Sequence, residues 1–194
     1  MRKALVLLLA LGLIALFASC SQDDSNPVEP TVSPAETAAL QYISDNMDNL
    51  QLRAGVDGCT VRRVQVDRYG LIHVRMNQSY RGLRVRNGSL IVHMDADLNL
   101  ESFTDGLIVG VEAQTRPQIG GEQAKALTVD AFLTDGFTDY EVSNPELMVM
   151  RTDSDGDRLA WETSINSQTN YDSREYFIDA ENGSVLYWYS NLIQ

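Results

Sequence analysis

His73 and His93 are the residues best equipped to bind a metal or move a proton, and they are the only histidines in the 194-residue chain. They stand twenty positions apart on stretches that alternate like strands. Pairing of those strands through a turn at Gly82 would bring them together. Two imidazoles without a third ligand make a poor zinc site, so a structural or interface role is expected and neither a metal nor another cofactor is. Asp153, Asp155 and Asp157 suggest calcium, which takes clustered carboxylates. An EF-hand loop, however, needs Gly at its sixth position and Glu at its twelfth. Counting from Asp153, Gly156 is fourth and Ser164 twelfth, which predicts a solvated hairpin tip. Ser79 and Ser89 lack the Gly-x-Ser-x-Gly context of a nucleophile elbow. With no phosphate loop or paired-carboxylate constellation either, no enzyme and no small-molecule substrate are expected.

The elements that must hold these residues read as follows. Ile72, Val74 and Met76 alternate with His73, Arg75 and Asn77, the period of a strand with one buried face. Arg81-Gly82 breaks the run. Asn87-Gly88 tolerates the positive φ of a two-residue hairpin turn, and Leu90, Val92 and Met94 follow as another strand. Upstream, Ser33, Pro34 and Glu36 predict a helix start with a capping box, and Leu40, Ile43 and Met47 carry that helix to about Leu50. Thr60 to Tyr69 alternates imperfectly, with a bulge expected at Arg62-Arg63. In the second half a helix is expected from Gly121 to Leu133 and a strand from Leu147 to Arg151. Another strand, Arg158 to Ile165, places Leu159, Trp161, Thr163 and Ile165 on one face. Two more surround an Asn182-Gly183 hairpin.

Gly70, His73, Val74, Arg75, Gln78, Tyr80, Gly82, Val85, Gly88, Val92 and His93 together resemble the fungalysin/thermolysin propeptide domain. One departure is Gly82-Leu83-Arg84-Val85, where that family usually has a proline before the valine. Leu159-Ala160-Trp161, then Tyr176-Phe177-Ile178-Asp179-Ala180 and the closing Gly183-Ser184-Val185-Leu186, resemble the PepSY domain that follows it in precursors of thermolysin-like zinc metalloproteases. The two resemblances span about Ala35 to Asn191. They imply an α+β fold of two small domains, 35–112 and 117–191, each a helix packed on an antiparallel sheet. They also imply a pro-region that templates and restrains a protease. The catalytic domain of that family carries His-Glu-x-x-His, two imidazoles for zinc and a carboxylate to activate water. This sequence does not contain it.

Charge and the N-terminal segment complete the reading. Fifteen basic residues face 27 acidic ones, a balance that argues against nucleic-acid binding. Arg2 and Lys3 followed by apolar residues from Ala4 to Phe17 have the form of an export signal over 1–19, too short for a membrane span. Ala18-Ser19-Cys20 resembles a lipobox, which implies lipid on Cys20 and an outer-membrane lipoprotein facing the periplasm or the surface. Residues 20–34, rich in Pro, Ser and Asp, form a flexible tether. Cys59 then lacks an intrachain partner and is expected to be a small apolar filler.

The expectation is therefore a lipid-anchored, free-standing propeptide-like protein that binds a thermolysin-like metalloprotease and inhibits or chaperones it. Alternatives are a truncated pro-region of a protease precursor or an envelope ligand-binding or adhesion module. Candidate contact residues are His73, Arg75, Gln78, Tyr80, His93, Trp161, Tyr176 and Asp179.

Overall fold

A computed structural model describes residues 33–191, which lie within one compact unit, Val32–Gln194. The expected signal segment, Cys20 and the tether up to residue 32 lie outside the described residues. The elements in order are α1 (Pro34–Asp45), β1 (Asp57–Val66), β2 (Ile72–Tyr80), β3 (Leu83–Met94), β4 (Leu100–Gly106), α2 (Gly121–Thr134), β5 (Glu141–Val142), β6 (Glu146–Thr152), β7 (Gly156–Ser167), β8 (Asp172–Asp179) and β9 (Val185–Ser190). No helix among the described residues is long and apolar enough to cross a membrane.

Helix α1 starts where its residues dictate. The Ser33 side chain accepts from the Glu36 N–H and the Glu36 carboxylate accepts from the Ser33 N–H, closing the capping box. Ala35, Ala39 and Ile43 then bury one stripe against Val74, Met76, Leu90, Val92 and Met94. The bulge in β1 falls between Val61 and Arg63. It turns Arg63 to the face opposite Val64, where it sits directly across from Arg75.

The two separate helix-on-sheet domains expected from the sequence are not what forms. The described chain is mostly β, 16% helical, and its strands make one nine-stranded mixed sheet in the order β1-β2-β3-β6-β7-β8-β9, with β4 on β3 and β5 on β7. The cause lies in β3. Its C-terminal half, Ser89–Met94, pairs with β4, while Arg84 and Val85 extend past β4 and pair in parallel with Met148 and Val149 of β6. Free backbone groups at a strand edge are templates for another strand, and β6 takes these. A seam core of Tyr80, Val85, Val111, Val149, Leu159 and Ala180 fills the join.

The Asn87-Gly88 turn is also corrected. The hairpin between β2 and β3 turns at Arg81-Gly82, with φ of 49° and 82°, which is the two-residue geometry with positive φ at both positions. Asn87, at φ 63°, sits inside β3 instead, in an irregular stretch where Gln78 alone separates the Asn77–Ser89 and Ser79–Arg84 pairs. That wide bulge is held by Gln78, which is 1% exposed. Its side-chain NH₂ donates to the Ile108 carbonyl at 2.9 Å and its oxygen accepts from the Ile108 N–H at 2.7 Å. Gly88 is required for this, since a Cβ there would lie 2.4 Å from the Gln78 Oε1.

Both helices cover the same face. Helix α2 packs Ala124 and Phe132 on Ile165, Tyr176 and Ile178. The register then carries that face through Val149 and Val85 to Tyr80 and α1. No helix lies on the other face among the described residues.

Candidate protein-contact surface

Strand register builds the uncovered face. Across β1, β2, β3 and β4 it reads Arg63, Arg75, Ile91 and Thr104 in one row, and Gln65, His73, His93 and Ser102 in the next. Directly opposed residues share a face, so every one of these points away from α1.

The two histidines meet as the strand pairing requires. Their Nδ1 atoms are 2.6 Å apart, with the rings edge to face. His73 Nε2 lies 3.2 Å from Asp67 Oδ2, and His93 Nε2 lies 3.0 Å from Thr104 Oγ1. One proton arrangement satisfies all four groups with both rings neutral. The Thr104 hydroxyl donates to His93 Nε2, His93 Nδ1–H donates to His73 Nδ1, and His73 Nε2–H donates to Asp67. Burial, with His73 and Arg75 close by, lowers the His93 pKa and favours that neutral form. Burial pushes the Asp67 carboxyl up. Hydrogen bonds from the Tyr69 N–H, His73 and the Leu71 N–H outweigh it and hold the carboxyl below its usual range. All four nitrogens are thus used inside the protein, in a strap from the β1–β2 turn to β4. Among the described residues no group of three His, Cys, Asp or Glu could hold a metal ion.

The same face of β6–β9 is closed by its own side chains. Met148, Met150, Ala160 and Phe177 form a buried cluster with Leu186 and Tyr189 against it. Arg86 lies over this group, its guanidinium carbon 4.4 Å from the Phe177 ring centre and 5.0 Å from that of Tyr187. Arg84 pairs with Glu162 and, at 3.5 Å, with Glu146. Burial raises the Glu162 pKa in spite of Arg84, and Glu175 and Glu146 add to the effect.

Of the eight residues expected to touch a partner, His73, Arg75 and His93 come together on the uncovered face. Gln78, Tyr80, Tyr176 and Asp179 are buried, and the polar atoms of Gln78, Tyr176 and Asp179 bond within the chain. Asp179 accepts from Arg158 Nε at 3.0 Å and Nη2 at 2.6 Å, and from the N–H groups of Glu181 and Asn182 in the β8–β9 turn. Tyr80 packs in the seam under Arg53 and Arg81. Trp161, half-buried, donates its indole N–H to the Ile119 carbonyl at 3.0 Å beneath α2. Arg63, Arg84, Arg86 and Tyr187 lie on this face outside those eight. A signal for three of them exists, since residues 62–86 hold seven arginines and one acidic residue. The acidic balance of the whole chain hides it. Cys59 packs at the α1 core, and burial, with Asp105 nearby, raises its thiol to about 11.

Residues 57–107, from the start of β1 to just past β4, match the family described as Fungalysin/Thermolysin Propeptide Motif. The match relates that segment to metalloprotease pro-regions. No curated protein matches the chain. Among solved structures the chain is similar to the Bacillus megaterium YpeB C-terminal domain, at 16% identity and a TM-score of 0.44, over 85% of this chain and 68% of that one. A likeness that distant carries no functional information.

Proposed function

We propose that this protein is exported, anchored by lipid on Cys20, and binds a thermolysin-like zinc metalloprotease that it holds inactive. The observation that carries the reading is the propeptide motif over residues 57–107. The structure adds a physical means. Binding another polypeptide is cheapest for a rigid surface that loses little freedom on contact. The uncovered face of β1–β4 is such a surface: its strands are paired, its bulge is locked by Gln78 and Gly88, and its histidines are tied from the β1–β2 turn to β4. An outer-membrane site would keep the protein where a secreted protease passes.

The test is the peptidase activity of a purified thermolysin-like enzyme with increasing micromolar amounts of the full mature chain. Saturable slowing of hydrolysis is expected. Undiminished hydrolysis, together with no effect on refolding of the denatured enzyme, would overturn the reading.

A further inference from the structure

The seven arginines of residues 62–86 stand in a chain whose other residues carry eight basic and twenty-six acidic side chains. The fold sorts them. Arg68 lies over Tyr69 and Arg81 over Tyr80. Arg84 is taken by Glu162 and Glu146, and Arg86 by Phe177 and Tyr187. Arg62, Arg63 and Arg75 remain, all exposed: Arg62 is the extra residue of the β1 bulge, and Arg63 and Arg75 stand directly opposite each other in register on the uncovered face. None has an ion-pair partner among the described residues. Like charges directly opposite on a sheet destabilise it, so the opposed pair costs the isolated protein free energy.

We propose that Arg63 and Arg75 are the centre of a docking surface for an acidic segment of a protein partner, laid across the uncovered face of β1–β3. A carboxylate placed between the two guanidinium groups removes their repulsion and gains two charge-assisted hydrogen bonds. Ile91, next in the row on β3, supplies an apolar contact beside that charge. Such a mixture fits a polypeptide better than a polyphosphate. A nucleic acid would need many phosphates neutralised at once, more than the few unpaired arginines of this face supply on a chain of net charge −12. That the partner is a thermolysin-like protease rests on the function proposed above. The chemistry of the surface does not.

The experiment measures fluorescence anisotropy of labelled poly-L-glutamate with the full mature chain at low and high salt. Binding is expected at low salt, weakening as salt rises. Arg63→Glu with Arg75→Glu should weaken it about tenfold or more. The control double variant, Arg116→Glu with Lys125→Glu, changes the net charge equally and should leave it nearly unchanged. The milder pair Arg63→Gln and Arg75→Gln should give an intermediate loss while melting like the wild type. Equal binding by the wild type and both Arg63/Arg75 variants would overturn the proposal. So would tighter binding to anionic phospholipid vesicles or single-stranded DNA than to poly-L-glutamate. If the wild type slows a protease and the charge reversal does not relieve it, this surface fails and the proposed function stands. If the wild type slows none, the function fails and the poly-L-glutamate result still decides the surface.

Discussion

The uncovered face is one surface with two characters. Over β6–β9 its side chains are turned on each other: Met148, Ala160 and Phe177 are fully buried, and Arg84 and Arg86 reach across from β3 to close the edge. Over β1–β4 nothing comparable covers it among the described residues. Arg63, Arg75 and Ile91 stand in a row with only the histidine strap beside them. One half has completed its packing within the chain, and the other carries exposed like charge that a solitary domain has no use for. The proposed contact therefore falls in the half that stability leaves alone.

The sharpest way to break this contrast is to cut into each half. Phe177→Ala should cost about 3–5 kcal/mol in chemical denaturation, as expected for emptying a packed aromatic site. Arg75→Ala in the open half should stay within about 0.5 kcal/mol of the wild type. Comparable losses at both positions would mean that the open half is packed too. Removal of the Arg158 side chain leaves the buried Asp179 carboxylate without its cation. Arg158→Ala should therefore lower stability by about 2–3 kcal/mol, read as a shift of the urea midpoint at constant m. In the open half the corresponding fixture is neutral. Gln78→Ala strands the N–H and carbonyl of Ile108, an expected loss of about 1–3 kcal/mol that leaves Arg63 and Arg75 in place.

The smallest effect is the histidine strap. The folded-state pKa of His93 is below its unfolded value of about 6.5, so the unfolded chain takes up the proton first. Its stabilising contribution is complete above the unfolded pKa and is lost as pH falls through the folded one. Facing groups are His73, Arg75 and, through His73, Asp67. A melting series from pH 8 to pH 5 should show a steeper decline for the wild type than for His93→Asn. Parallel curves would remove the strap from the account.

Much of the chain was readable where chemistry is local. Ser33 and Glu36 announce a capping box, Arg62-Arg63 a bulge, and Leu159, Trp161, Thr163 and Ile165 a buried strand face. The single sheet was not readable, because its seam is a parallel pairing of Arg84 and Val85 with Met148 and Val149, too short to leave a periodic trace. Asn87-Gly88 has turn chemistry but is used for a bulge. The choice between the two is made by Gln78, whose amide pairs with Ile108, thirty residues away in the segment after β4. Gln78 and Tyr80 look like surface residues by type and are buried by that same arrangement. His73 and His93 were found because strand alternation places them. Arg63 was missed because a one-residue bulge decides which way it faces.

The most direct measurement is an NMR titration of the isotope-labelled chain with a catalytically inactive thermolysin-like protease at low salt. The account predicts broadening and shifts concentrated at Arg63, Arg75, Ile91 and the histidine pair, with α1 and α2 unperturbed. Perturbations centred on the helices, or none at all, would contradict it.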